Sequence, residues 1–358
     1  MSDCKKRDPL LDFIKGFLII LVVIGHCIEC GSGNQFRDSL AHYDNWLHHI
    51  IYSFHMPLFT LISGYLFYSS CQRNCYKTII KNKVYTLLLP LLTWIIVSRF
   101  GLLFVNLFIK HQIMNFNISS IIFSFLHGLI YNFWFLKTIF FSSMLIIFVK
   151  RFFSDKIFIH LLIFLILLFT PPVADSAYHI FMYPYFVSGY YFKKYKSIKI
   201  EEIINNYFYV IFCILLFFWI FLLLNYNRSS YIYTTGISLF NNLNINMISI
   251  IIYRFLIGYI GSICIILLSI YVTSRIKVNK LNRLIQLLGK SSLGIYIISV
   301  ELNPFLEILT ASKNGVNYII LLIESTTIIM ISVLLFKCIC KNSVLGFLFF
   351  GKKNHENP

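Results

Sequence analysis

The chain has 358 residues, of which 58% are hydrophobic and 13% are charged, and its mean hydropathy is +0.77. Soluble domains carry about 25% charged residues, so this composition excludes an ordinary soluble protein and predicts a polytopic helical membrane protein. The formal net charge of +17 would indicate nucleic-acid binding in a soluble chain. In a membrane protein the preference of cytoplasmic loops for Lys and Arg explains it first, and we expect no nucleic-acid partner.

Apolar runs of about 20 residues recur along the whole sequence, which matches a hydrocarbon core of about 30 Å. The segment 177–192 is shorter. Placing the N-terminus in the cytoplasm puts nearly all Lys and Arg on one side of the membrane. We therefore expect a multi-pass protein of the inner (plasma) membrane with both termini cytoplasmic. The fold class predicted is an all-α bundle of about ten transmembrane helices, near residues 10–28, 47–68, 84–108, 131–149, 157–171, 177–192, 207–225, 250–272, 291–309 and 317–338.

The domain organisation predicted is simple, because no segment between these helices is long enough for a soluble domain. We expect one transmembrane domain over residues 1–340 and a short cytoplasmic tail over 341–358. The longest polar and aromatic loop, 226–249, suits contact with a sugar, or else is a solvated connector. The nine cysteines are scattered without metal-ligand spacing, so no metal site is expected.

The first helix carries polar side chains on one face. Lys15 and His26 are eleven positions apart, which places them within about 20° of each other and about 16 Å apart along the axis. Asp12 falls on the same broad face. Ionisable groups inside a span mostly face a bundle interior or a wet cavity, so we expect an acid, a cation and an imidazole to line a site. Snorkelling of Lys15 to the membrane surface is the alternative.

The second helix holds a further group of unusual residues. His55 lies about two turns inside the span and is followed by Pro57, which frees a backbone carbonyl and bends the helix. Ser63 and Gly64 lie about two turns further on, where small side chains let another backbone or a thin ligand come close. Helix packing is the simpler explanation for these two residues.

Several blocks of sequence occur in the same order as in a known family. The matching blocks are LDFIKGFLIILVVIGH (11–26), FHMPLFTLISGYLF (54–67), KNKVYTLLLPLLTW (81–94), NFWFLK (132–137), YPYFVSGYYFKK (183–194) and LGKSSLGIYIIS (288–299). Together they resemble the acyltransferase 3 family of bacterial membrane acyltransferases, in particular its fucose 4-O-acetylase-like branch. Lys15 stands where the family pattern has an arginine, and His26 matches the family histidine.

This resemblance implies an O-acetyltransferase that moves acetyl from acetyl-CoA to a hydroxyl of a cell-surface polysaccharide or lipid-linked sugar, such as O-antigen, capsule or exopolysaccharide. We expect His26 to act as general base. His55 either assists as base or donates to the developing oxyanion. Direct transfer and a covalent acyl-histidine are both compatible with the pattern.

The remaining residues of the expected site bind the donor or orient the helix. Lys15 and Asp12 are expected at donor groups or as orienting residues in the first helix. Lys81 and Lys83 are placed near the phosphates of CoA, and Ser63 and Gly64 near its pantetheine arm. Lipid and acyl-CoA are thus expected partners.

Two other functions share the many helices and buried cations of this chain. A flippase or exporter of lipid-linked sugars, or a polymerase of such units, would also have them. The sequence lacks paired half-chains and a dense cationic stripe, and its longest outer loop has one arginine, Arg228. These features favour the transferase over both alternatives, and thiol release from acetyl-CoA distinguishes it from them.

Overall fold

The structure is a computed structural model that describes residues 7–30, 40–104, 118–196, 206–240, 243–275, 280–309 and 316–352. Every regular element in these ranges is helical, so the predicted all-α fold is confirmed. Short 3-10 helices lie at Ala41–Asp44 and Arg228–Ser230, and a π-helix lies at Val84–Leu88. In chain order the described α-helices are α1 (Pro9–Cys30), α2 (Trp46–Arg73), α3 (Tyr76–Lys83), α4 (Leu89–Phe104), α5 (Ile118–Tyr131), α6 (Trp134–Phe152), α7 (Ile157–Leu168), α8 (Ser176–Tyr195), α9 (Phe208–Leu224), α10 (Ile232–Thr235), α11 (Ile245–Arg275), α12 (Lys280–Lys290), α13 (Ser292–Leu309), α14 (Tyr318–Lys341) and α15 (Ser343–Phe350).

Each of the ten segments predicted to be a transmembrane helix contains an α-helix. Within the described ranges, five helices are long and apolar enough to cross a membrane: α1, α2, the continuous α3–α4 unit, α11 and α14. The number rises to seven if α5–α6, bent by 64°, and α12–α13, bent by 74°, each form one span. The protein is therefore a helical membrane protein, while the count of about ten spans and the cytoplasmic termini stay predictions.

Two close helix crossings fix the centre of the bundle. Gly64 of α2 lies so near α8 that an added Cβ would be 1.9 Å from the Phe186 carbonyl oxygen, and Gly189 of α8 faces the Leu61 carbonyl in the same way. Gly16 of α1 and Gly289 of α12 form a second crossing of this kind. Backbone contact at both crossings sets where the polar side chains of α1 and α2 lie.

The π-helix interrupts the regular spacing of the third span. Leu89 N–H donates to the Val84 carbonyl, five residues back. Pro90 follows at once and has no N–H to donate, so the regular ladder cannot continue through this turn. π-bulges of this kind frequently accompany functional sites, and here the bulge lies directly after Lys83.

The predicted tail begins as a packed helix. Residues 343–350 form α15, which lies against α4, where the Trp94 indole N–H donates to the Phe349 carbonyl at 3.1 Å. Phe350 is buried. An apolar run, SVLGFLFF, accounts for this packing, and residues 353–358 lie outside the described ranges.

Candidate active site

A cavity of about 280 Å³ opens at one end of the bundle, and we call it the large cavity. Lys15 of α1, Ser63 of α2 and Lys83 of α3 line it together, while most of the remaining lining is apolar. Lys83, Lys150, Lys193 and Lys194 lie at this end of the molecule, which we call the basic end. The structure thus brings three of the sequence-predicted residues to one space.

Lys15 does not face the large cavity alone. Its Nζ lies 2.8 Å from the Asp12 carboxylate, one turn earlier on α1. Asp12 is buried, and its backbone carbonyl contacts Gly289 at the α1–α12 crossing. A buried carboxylate on a rigid crossing holds the Lys15 ammonium in place. The sequence expected Lys15 and Asp12 to bind donor groups or to orient the first helix, and the ion pair between them is compatible with either role.

The other residues expected near CoA separate into different positions. Lys83 lines the large cavity with its Nζ 4.8 Å from the centre of the Phe67 ring. Lys81 is exposed on the opposite side of the same helix turn, with its Nζ 5.8 Å from the centre of the Tyr85 ring. Gly64 is not part of the described lining, because it faces the α8 backbone. Its position agrees with the helix-packing explanation.

A second, smaller space lies between α2, α8, α11 and the loop before α11, and we call it the small pocket. It measures about 30 Å³ and is lined by His55, among others. Met56, the next residue of α2, lines the small pocket and the large cavity alike. Met56 thus separates the two spaces, and His55 lies at the boundary.

The hydrogen bond of His55 defines its tautomer. His55 Nδ1 lies 2.6 Å from the Ile51 carbonyl oxygen. A carbonyl only accepts, so Nδ1 carries the proton, and Nε2 of the neutral ring holds the lone pair. In this state Nε2 can accept a proton but cannot donate one. Of the two roles expected for His55, assistance as a base is compatible with this tautomer, and donation to an oxyanion is not.

His26 lies one turn beyond Val22, a lining residue of the large cavity. It interacts electrostatically with His55 of α2 and with Glu29 of its own helix. Glu29 is half-buried and also interacts with Tyr52 and Tyr233. Sequence analysis missed Glu29 because it lies at the end of the first apolar run, where an acidic residue is unremarkable. Its spacing of three from His26 was the available signal.

Aromatic side chains cover the end of the bundle opposite to the basic end, and we call this the aromatic end. The His48 ring stacks on Tyr52 at 3.8 Å, and His48 Nδ1 is 2.9 Å from the Tyr231 hydroxyl. Tyr52 also contacts the His55 ring, with 4.8 Å between centroids. Tyr233 lies 6.0 Å from Tyr52. The loop that contains Tyr231 and Tyr233 is therefore folded over α2 and is not a solvated connector.

Arg254 holds this loop in place. It is buried on α11 and donates from Nε to the Ser230 carbonyl at 2.8 Å and from Nη2 to the Tyr231 carbonyl at 2.8 Å. It also donates to the Gly236 carbonyl. One guanidinium thus satisfies several carbonyls that would otherwise be buried without donors.

Two further cations of the aromatic end are paired with acids. Lys137 donates to Asp175 at 2.7 Å. Arg228 donates to Asp44, with 2.5 Å between Nη2 and the carboxylate. Burial raises the pKa of Asp175, and the hydrogen bond from Lys137 opposes this effect. In the described part of the chain no cluster of three or more His, Cys, Asp or Glu side chains could hold a metal ion.

Comparisons with known proteins find curated relatives for part of the chain. Among curated proteins, the nodulation protein NolL of Sinorhizobium fredii (strain NBRC 101917 / NGR234) is 39% identical over 97 residues, covering 26% of this chain and 25% of that protein. NolL of Mesorhizobium japonicum (strain LMG 29417 / CECT 9101 / MAFF 303099) is 39% identical over 88 residues, covering 25% and 23%. The match spans about a quarter of the length of these relatives.

No solved structure matches the chain significantly. The family comparison reaches further than the pairwise ones. The acyltransferase domain model matches residues 8–341. This range includes His26, His55 and every lining residue of the large cavity and the small pocket. The resemblance stated from the sequence is thereby confirmed: the chain belongs to the acyltransferase 3 family of membrane proteins.

Proposed function

We propose that this protein is an O-acetyltransferase of the bacterial inner membrane. It moves acetyl from acetyl-CoA to a hydroxyl of a cell-surface polysaccharide or a lipid-linked sugar. The observation that carries the proposal is the position of His55 in an aromatic pocket next to a cation-lined cavity. His26 lines neither space, but it lies one turn beyond the cavity residue Val22 and interacts electrostatically with His55. The basic end faces the cytoplasm, as the positive-inside rule predicts.

The large cavity suits the donor. Its volume of about 280 Å³ is at the lower limit of ligand pockets, which run from about 300 to 1,000 Å³. A space of this size takes a narrow chain such as the pantetheine arm, and the nucleotide stays outside, at the rim. Lys83 and Lys15 then attract the phosphates and the thioester end, respectively, with Ser63 along the arm. Lys81, which is exposed, contributes only long-range attraction.

The proton transfer follows from the imidazoles. His26 removes the proton of the acceptor hydroxyl while the hydroxyl oxygen forms a bond to the thioester carbonyl carbon. The carbon–sulfur bond breaks, the CoA sulfur leaves as thiolate, and the imidazolium returns the proton to it. Glu29 stabilises the imidazolium, as a carboxylate does beside a catalytic histidine. His55 assists through the lone pair on Nε2.

The experiment compares cell-surface polysaccharide from cells with the gene intact, deleted, or carrying His26→Ala. Mass spectrometry and NMR are expected to show an acetyl-sized mass that disappears in the deletion and in the substitution alike. If the deletion leaves acetylation intact but shortens or removes the polysaccharide, the proposal is wrong, and transport or polymerisation of sugar units replaces it.

A further inference from the structure

We infer that the small pocket and the exposed face of Tyr233 form the acceptor subsite, and that this subsite selects an uncharged sugar ring. The inference rests on the proposed function and adds to it the place and the charge class of the acceptor. One hydroxyl of the sugar enters the pocket beside His55, and the ring lies outside against Tyr233.

The size of the pocket supports this arrangement. Its volume of about 30 Å³ is enough for a hydroxyl group, because a cavity needs about 10–15 Å³ to hold one water. It is far below the roughly 300 Å³ at which pockets for whole ligands begin. A whole pyranose ring does not fit. One hydroxyl can enter and reach His55, which lines the pocket with its proton on Nδ1. A subsite of this kind selects one hydroxyl of a ring by its position.

The lip of the pocket offers an aromatic surface for the ring. Tyr233 on α10 is 39% exposed, although it lines the pocket together with Tyr52. Tyr178 of α8 lies 5.2 Å from Tyr233, which extends the surface. Aromatic side chains that are partly exposed and held by neighbours are typical anchors of binding sites. The C–H groups of a sugar ring fit against such a face.

The charges around the pocket exclude an anionic sugar. Arg254 is the one Lys or Arg among the described lining residues, and it donates to loop carbonyls at Ser230, Tyr231 and Gly236. The acidic residue Glu29, not a cation, interacts electrostatically with Tyr52 and Tyr233. A uronate or phosphate on the ring therefore finds no free cation among the described lining residues.

The test uses the full-length protein in nanodiscs, with polysaccharide from the deletion strain as acceptor. Tyr233→Ala is expected to raise the acceptor KM about tenfold, the effect of losing an aromatic anchor. The KM for acetyl-CoA, which is set at the basic end, stays unchanged. Tyr233→Phe keeps the ring and remains close to wild type. Tyr207→Ala, which removes an exposed tyrosine at the start of α9, is the matched control.

A second readout does not depend on acetyl-CoA. Saturation-transfer NMR is expected to detect neutral methyl pyranosides on the wild type but not on Tyr233→Ala, and to show no contact for methyl uronides. The inference is overturned if Tyr233→Ala leaves acceptor KM and pyranoside contact unchanged, or if uronides bind as well as neutral sugars. Absence of acceptor-dependent thiol release in the wild type overturns the proposed function instead, and the NMR result then stands by itself.

Discussion

The two ends of the bundle differ in how their charges are used. At the basic end, Lys83 reaches a cavity of about 280 Å³, and so does Lys15, which is paired with Asp12. At the aromatic end, Arg254, Lys137 and Arg228 are all engaged by carbonyls or carboxylates, and the pocket measures about 30 Å³. The basic end therefore offers positive charge to a ligand, while the aromatic end offers aromatic ring faces and the lone pair on His55 Nε2. The difference suits an anionic donor at one end and a neutral acceptor at the other.

The largest effect on acetyl transfer is expected from substitution of His26. His26→Ala should lower acetyl transfer by about 10³-fold, because general-base catalysis contributes about 10² to 10⁴. Transfer of radiolabelled acetyl to polysaccharide measures the effect. His127→Ala, which removes an exposed histidine on α5, serves as control. Equal loss in both variants, or none in His26→Ala, would remove His26 from the chemistry.

The close crossing of α2 and α8 fixes the position of His55 and Met56 on α2. Gly64→Ala tests how close this crossing is. The new methyl would meet the Phe186 carbonyl, and overpacking of this kind costs about 1–3 kcal/mol or more. The melting temperature and the yield in detergent should fall. Gly101→Ala on α4 is the matched control, since no atom lies within 4 Å of the added group. It should be neutral or stabilising, and a similar loss in both variants would contradict the close crossing.

Lys83→Gln tests whether the donor and the acceptor bind at different ends of the bundle. Loss of the cavity-lining ammonium is expected to raise the KM for acetyl-CoA about tenfold, the effect of one good charge-assisted contact. The acceptor KM should not change. Lys81→Gln should have a smaller effect that disappears at high salt, because Lys81 is exposed. Steady-state kinetics at two salt concentrations measure both, and an acceptor KM that rises in Lys83→Gln would contradict the assignment.

Met56 separates the large cavity from the small pocket, so its truncation should join them. Met56→Ala is expected to raise thiol release without acceptor several-fold relative to transfer, since water then reaches the thioester. Met56→Leu conserves volume and should behave like wild type. If hydrolysis stays low in Met56→Ala while the protein remains folded, the two spaces are not joined through this residue.

The smallest effect concerns the exposed ion pair at the aromatic end. The hydrogen bond from Arg228 holds the pKa of Asp44 below its usual range. A depressed folded pKa means that the pair contributes stability above about pH 4, the ordinary value, and loses it as pH falls through the folded value. Asp44→Asn should lower the melting temperature slightly at pH 7 and low salt, with no difference at high salt. A large shift would show that this pair fixes the loop.

The sequence predicts the helices well because their apolar runs are long and their lengths follow from the bilayer. It also predicts that Lys15 and Asp12 share a face, since helix geometry alone determines this. Helix geometry also puts Lys81 and Lys83, two positions apart on α3, on different sides. It could not show that Lys83 is the one that lines the cavity, because this depends on packing against Phe67 of α2. The sequence also could not predict the loop that Arg254 holds, because its hydrogen bonds join segments that are distant in the chain. Nor could it predict the interactions of Glu29, because they involve Tyr52 and Tyr233, which lie on other helices.

The measurement that tests the account most directly is thiol release from acetyl-CoA by the purified protein in nanodiscs, with and without acceptor polysaccharide. The account predicts acceptor-dependent thiol release in the wild type, equal in amount to acetyl found on the polysaccharide, and loss of both in His26→Ala. Thiol release that ignores the acceptor, or acetylation that persists without His26, would contradict it.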